Sequence, residues 1–556
     1  MPSFAHAPDR PAGFRHRFDW LQIIWSFTAA GLRGEARGRD ADRARSESRS
    51  RCGPPRGECG NIKEELNACV LVWPAMSDQV VHSAVQPFPA RAALPWLVGL
   101  SVYAALLICG PRLLGDPDSY SHIALGRWIM AHGALPESDA FSFSKHGAPW
   151  ITFEWLSEVI YAGAYAIAGW PGVVVVGAAA IALAIGLLTF FLLRELSPTL
   201  TLLMVLAAVI LLAPHMLARP HVLVLPLMVI WAAALVRCMD RAGPPPYWAL
   251  PLLVLWANLH GSGVLALGLI GPAGLEALLR EKRSEWPRAF LRWLPFTALA
   301  IAASCLTPHG PEPLLMPLTT LGAGQALHWI AEWRPQDFGH VGGFELLLLG
   351  AIFALSRGVT LPVVRVLVVI GLLHFALAQM RNADLLAVLA PLYLAAPLGR
   401  QFGGPAGDSA AVSSRGLTLA GLGVLIATSA VALAHDVRPP AAISPQAAIA
   451  EADLAKAGPV LNDYSFGGYL IFAGIPTFID GRSELFGGPF IDRYNRALAL
   501  IDLGDFLNLL DEYRIGATLL TPHTPAVAML DRLPGWQRVY SDDVAVVHKR
   551  RDSAAR

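Results

Sequence analysis

From residue 92 onward the chain is patterned as a series of long apolar runs separated by short polar breaks. Runs of near-spanning length occur at 92–112, 171–193, 199–217, 220–236, 247–257, 262–279, 290–306, 343–356, 361–379, 384–398 and 416–434. A hydrocarbon core about 30 Å thick needs about 20 such residues in a helix. The pattern therefore predicts about eleven membrane spans. The stretch 151–169 differs, because it opens with Thr152, Glu154, Trp155 and Glu158. It reads as a helix lying at the membrane interface.

Beyond residue 436 the pattern changes again. Short apolar stretches at Val460–Leu461, Thr477–Ile479, Ala517–Leu520 and Val544–Val547 alternate with helical patterns at 490–500, 503–513 and 524–532. Ser444-Pro445 starts a further helix and Gly458 ends it. The expected fold is mainly α: a polytopic transmembrane helical bundle over 92–435, followed by a small α/β domain over 436–556. Residues 1–75, with Arg, Ser, Gly and Asp crowded between Arg33 and Arg56, read as a disordered or mis-assigned extension. Met76 is the preferred start, and 76–91 reads as a short cytoplasmic tail.

Lys and Arg set the expected orientation. With a cytoplasmic N-terminus, the inner loops hold Arg194, Arg237, Arg241, Arg280, Lys282, Arg283, Arg288, Arg292, Arg357, Arg365, Arg400 and Arg415. The outer loops hold only Arg127, Lys145, Arg219, Arg334 and Arg381. An odd number of spans then places 436–556 outside, together with two long loops, 113–170 and 307–342. Within the first, Ser121–Ala131 reads as a short amphipathic helix stopped by Gly133 and Pro136.

Composition agrees, with 54% hydrophobic and 15% charged residues, against about 25% charged in soluble domains. A net charge of +1 without a basic, aromatic-interleaved stripe gives no sign of a nucleic-acid partner. The cysteines at 52, 59, 69, 109, 238 and 305 lack the close spacing of a zinc or redox site.

The polar residues that matter gather on the expected outer side, where ionisable groups near membrane depth mark functional cavities. Asp116-Pro117-Asp118 follows the first span directly, with His122 one helical turn on. Two such carboxylates can hold a divalent cation, or one can take a proton from an attacking hydroxyl. The same residues also suit a helix cap and a turn. Arg219 and His221 flank Pro220 and can grip a phosphate, or simply start a helix at the interface. Asn258-Leu259-His260-Gly261 interrupts an apolar run as cavity-lining broken helices do. Glu154, Glu332 and Arg381 complete the set, and an Arg381–Asp384 pair serving only packing is an alternative. In the C-terminal segment, Asp480-Gly481-Arg482 follows an expected strand, where ligand contacts or a plain turn both fit. Asn462-Asp463-Tyr464 and Gly467-Gly468 raise the same question.

This order of features resembles the GT-C membrane glycosyltransferases, in particular the protein O-mannosyltransferase and lipid A aminoarabinose transferase types. The features are an acidic motif at Asp116–Asp118 straight after the first span, an interfacial helix, about eleven spans and an outer C-terminal domain. The resemblance covers about residues 90–435. The chain is similar, too, to a group of bacterial polytopic membrane proteins without a settled activity, in which Trp150 to Trp155, Arg219-Pro220, Asn258 to Gly261, Glu332-Trp333 and Asp480-Gly481-Arg482 are expected to recur. The GT-C resemblance implies sugar transfer from a polyprenyl-phosphate-linked donor to an envelope acceptor on the outer face of a bacterial inner membrane. Asp116 or Asp118 would then be the base or a metal ligand, and Arg219, His260 and Arg381 would hold the donor phosphate. Many relatives have Asp-Glu where this chain has Asp-Pro-Asp. A transporter or flippase for lipid-linked sugars, and a noncatalytic assembly protein, are the competing readings.

Overall fold

The computed structural model describes residues 87–322, 324–404 and 411–551. The expectations for 1–75 and for residues 76–86 lie outside the described residues. Val85–Arg556 form one compact unit.

Among the described residues, five helices are long and apolar enough to cross a membrane: Trp155–Leu192, Pro198–His215, Pro220–Arg241, Gly263–Arg280 and Met380–Phe402. Five more apolar helices are shorter: Ala93–Ile108, Tyr247–Leu259, Gly343–Ser356, Val363–Ala378 and Thr418–Ala434. The expected eleven spans are therefore not reproduced one for one. At a rise of about 1.5 Å per residue, a helix of under 18 residues falls short of a ~30 Å core. The expected span at 290–306 falls on the helix Trp286–Ser304, whose first turns carry Arg288 and Arg292.

The expected interfacial helix and the span after it are continuous in Trp155–Leu192, yet the backbone breaks between them. Ala168 (φ −140°) and Gly169 (φ 62°, ψ −150°) leave helical geometry just before Pro171. Pro171 has no N–H for an intrahelical bond, so a kink there is the expected consequence.

Arg365 is not the loop residue expected from the charge count. It is buried within Val363–Ala378, donating from Nη2 to Asp240 Oδ1 (2.6 Å), from Nε to Glu276 Oε2 (3.3 Å) and from Nη1 to the Tyr393 carbonyl (3.2 Å). A buried guanidinium must be paired, and this one ties four helices together.

The C-terminal segment forms a four-stranded mixed sheet. Its strands are β1 (Val460–Asn462), β2 (Ala517–Leu520), β3 (Trp536–Ser541) and β4 (Val546–Arg550), in the order β1-β2-β4-β3. Only β1 and β2 run parallel. Helices Gly488–Leu498, Leu503–Glu512 and Pro525–Leu530 lie where the pattern predicts them. Two strands differ from expectation. The 477–479 stretch is not in the sheet, because Thr477 exchanges backbone hydrogen bonds with Phe141 and Phe143 of the first long loop (3.1 and 3.0 Å). Strand β3 has no counterpart in the sequence pattern, since most of its side chains are exposed and show no apolar alternation.

This segment packs against the helix Asp118–His132. Tyr120 meets Tyr469 and Phe472 edge-on at 4.9 and 5.4 Å between ring centres, and its hydroxyl lies 2.6 Å from Ser444 Oγ. The first loop is thereby held between the membrane helices and the C-terminal sheet.

Candidate functional site

Asp116 shapes the turn that starts the helix Asp118–His132, its Oδ1 accepting the Asp118 N–H at 2.8 Å. Asp118 and His122 are one turn apart and so share a helix face. Arg219 lies in extended backbone immediately before the helix Pro220–Arg241, and its guanidinium gathers three acids. Nη1 is 3.1 Å from Asp116 Oδ2 and 2.7 Å from Glu332 Oε2, while Nη2 is 3.1 Å from Asp118 Oδ2. Glu332 also accepts from Arg381 Nη1 at 3.1 Å, and that guanidinium lies over the Trp333 ring at 4.4 Å. Arg381 thus pairs with Glu332, not with Asp384.

Three carboxyl groups share two guanidinium groups. Asp118, although paired with Arg219, is pushed up to about 7 by burial and then by the neighbouring Asp116. Glu332 goes the other way. Burial works to raise it, but Arg219 and Arg381 together hold it at about 2.

A second group adjoins the first. His260 Nδ1 accepts the backbone N–H of Ser262 at 3.1 Å, so its proton is assigned to Nε2. Nε2 lies 3.1 Å from Glu154 Oε1. Burial pushes Glu154 up to about 7, opposed by His122 and reinforced by Glu158. His122 Nδ1 is 3.7 Å from Glu158 Oε1. Burial would lower His122, yet Glu158, Glu154 and Asp118 together raise it.

These residues line an open-sided cavity of about 1160 Å³. Asp116, Asp118, His122, Glu154, Arg219, His221, His260, Glu332 and Arg381 all border it, so the structure brings these sequence candidates together. Asn258 does not border it. Its Oδ1 accepts from Trp155 Nε1 (3.0 Å), and its Nδ2 donates to the carbonyls of Val254 (2.7 Å) and Leu306 (2.9 Å). It satisfies the end of a broken helix. His221 borders the cavity with Nε2 3.1 Å from the His215 carbonyl oxygen.

Asp480 and Arg482 form a buried clamp. Arg482 donates from Nε and Nη2 to the two Asp480 oxygens, both at 2.8 Å, and from Nη1 to Asp139 Oδ1 at 2.7 Å. The guanidinium lies 4.7 Å from the Trp150 ring centre. Arg482→Met would leave two carboxylates buried without a counter-charge, a change that costs about 3–5 kcal/mol in comparable pairs. The expected outcome is a lower melting temperature and faster proteolysis at the 139–150 loop. Unchanged stability in Arg482→Met would contradict the clamp.

The cavity also includes Tyr464, from the Asn462-Asp463-Tyr464 stretch, and Glu158 and Glu484, which the sequence does not mark as members of the site. For Glu158 a signal exists in its i, i+4 spacing from Glu154. Glu484 accepts from Trp150 Nε1 at 2.9 Å across 334 residues of chain, which no local pattern reveals.

A divalent ion does not fit the Asp116–Asp118 pair. Both Asp116 oxygens and one Asp118 oxygen already have partners, and Arg219 takes the place between them. Among the described residues, no group of three or more His, Cys, Asp or Glu side chains converges as metal ligands would.

No family model matches the chain, and no curated protein matches it by sequence. Among solved structures, the chain is similar to the oligosaccharyltransferase of Archaeoglobus fulgidus in the apo form, with a TM-score of 0.46 at 12% identity over 77% of this chain and 69% of that one. The archaeal oligosaccharyltransferase from the same organism, in complex with an inhibitory peptide and a dolichol-phosphate, gives 0.44 at 12% identity, again over 77% and 69%. ArnT from Cupriavidus metallidurans bound to undecaprenyl phosphate gives 0.45 at 13% identity, over 82% of this chain and 98% of that one.

Proposed function

We propose that the chain is an integral membrane glycosyltransferase. It moves a sugar from a polyprenyl-phosphate-linked donor to an envelope acceptor at the extracytoplasmic face of a bacterial inner membrane. The observation that carries this reading is the mixed lining of the cavity. Charged Asp118, Arg219, Glu332 and Arg381 border it together with apolar residues of membrane helices, among them Leu211, Val224, Met228, Phe344 and Phe375. At about 1160 Å³ it exceeds the range of about 300–1,000 Å³ usual for small ligands. An amphipathic lipid with a phosphate head, together with an acceptor, matches both the size and the mixed lining.

In this reading Arg381, paired with Glu332 and lying over the Trp333 ring, turns to the donor phosphate, with Arg219 behind it. Asp118 takes the acceptor's hydroxyl proton as the acceptor oxygen attacks the sugar's anomeric carbon. The carbon–oxygen bond to phosphate breaks and the lipid phosphate departs with inversion. Arg365, Asp240 and Glu276 pair among themselves near the ends of their helices and stand outside the cavity lining.

The pH dependence follows from Asp118. Transfer rises with pH through about 7 as the carboxyl loses its proton and becomes a competent base. Its effect on stability has the opposite sign. An acid whose folded-state value lies above its unfolded one binds more protons when folded, so this contribution falls as pH rises from about 4 to 7. A rate profile flat between pH 5.5 and 8 would contradict the assignment.

Binding of undecaprenyl phosphate to the purified full chain in detergent tests the donor half of the proposal. Saturable binding is expected, weakened about tenfold or more in Arg381→Ala, since charge-assisted hydrogen bonds contribute about 1.5–3 kcal/mol. Absence of saturable binding would sink it.

A further inference from the structure

The C-terminal segment touches the Asp118 turn through residues that have no side chain. A Cβ built on Gly481 would fall inside the Asp118 carboxylate, with Oδ1 closest and Cγ at 2.5 Å. All three of its nearest atoms belong to Asp118. A Cβ on Gly468 would overlap the Pro117 carbonyl oxygen and lie 3.0 Å from its carbon and 3.5 Å from Ser121 N. Gly467 packs as tightly against Ile479 and Asp480, at the base of the same turn. Plain docking of one element on another needs no such closeness at a carboxylate.

The turn cannot easily retreat. Arg482 clamps it to Asp139, Ser144 Oγ donates to the Phe478 carbonyl at 2.5 Å, and Trp150 Nε1 donates to Glu484. Tyr464, from the same segment, borders the cavity beside Asp118. We infer that Gly468 and Gly481 are positioning residues, forming a Cβ-free cradle by which the C-terminal segment fixes the Asp118 carboxylate against Arg219. The segment at 436–556 then completes the reaction centre and is not an appended module. The word positioning rests on the proposed role of Asp118 as base; the cradle itself does not.

The side chain at 118 is thus approached from two directions. Arg219 holds Oδ2 at 3.1 Å, and Gly481 comes so close to Oδ1 that a Cβ at 481 would overlap it. A misplacement of about 1 Å at a reacting group can cost about 100-fold in rate.

A double-mutant cycle on the full chain in detergent tests the cradle without any substrate. Gly481→Ala is expected to lower the melting temperature by about 3 °C or more when Asp118 is present. In the Asp118→Ala background the carboxylate is gone, and the same change should have little effect. An equal drop in both backgrounds overturns the cradle.

A second arm tests positioning. Gly481→Ala is expected to retain undecaprenyl phosphate affinity within about twofold of wild type while losing about 100-fold in transfer. Loss of both together would mean a general collapse and would overturn positioning. Should Gly481→Ala fail to accumulate, the Gly481→Ala/Asp118→Ala protein should accumulate normally; its failure also overturns the cradle. If the wild type binds no lipid phosphate, the proposed function falls while the first arm still decides the cradle.

Discussion

Asp118→Asn is expected to lower the proposed sugar transfer by at least about 100-fold, while the protein accumulates and folds normally. A positioned general base contributes about 10²–10⁴-fold, and its effect is largest when its proton equilibrium lies near the working pH. Asp118 meets that condition because burial and Asp116 push it up to about 7. Asn is nearly the same size and cannot take the proton. The fold should tolerate it well, since a neutral group beside Asp116 relieves repulsion. The melting temperature should therefore stay level or rise slightly, which separates lost chemistry from lost structure. Asp116→Asn is expected to be milder, because its Oδ1 chiefly holds the Asp118 N–H.

Arg219→Ala should lose both stability and transfer. The guanidinium is 18% exposed and is the shared counter-ion of Asp116, Asp118 and Glu332. Without it only Arg381 remains against three acids, and removing one partner of a buried ion pair costs about 3–5 kcal/mol. Arg219→Lys tests geometry apart from charge. An ammonium supplies the charge but not the planar fork whose two nitrogens reach different carboxylates. Partial recovery of the melting temperature without recovery of transfer is the expected result. Full activity in Arg219→Lys would show that the fork is unnecessary.

Much of the site is legible in the amino-acid sequence. Asp116-Pro117-Asp118 stands out because polar residues beside a long apolar run are costly. Arg219, His260, Glu332 and Arg381 stand out for the same reason. Which of them meet is a property of the packing alone. Arg219 and Glu332 are separated by 113 positions, and only the packing of the helices Pro220–Arg241 and Met380–Phe402 beside the second loop brings them within 2.7 Å.

Asn258 has the same outward signature as His260, two residues on. The difference lies in neighbours, because Asn258 spends its donors on the carbonyls of Val254 and Leu306 and its oxygen on Trp155. Thr477–Ile479 has strand composition, but a strand forms only where a partner edge is free, and the 141–143 backbone takes that place. Gly481 reads locally as part of a turn. Its close approach to Asp118 depends on a side chain it does not have, which composition and periodicity do not register.

Mass spectrometry of lipid-linked sugars and envelope glycans decides whether Asp118 drives sugar transfer from a lipid-linked donor, in a strain deleted for the gene and rescued by wild type or by Asp118→Asn. The deletion and Asp118→Asn strains are both expected to accumulate one polyprenyl-phosphate sugar and lack one glycan, and wild type to restore both. A normal glycan profile in the Asp118→Asn strain would contradict that role.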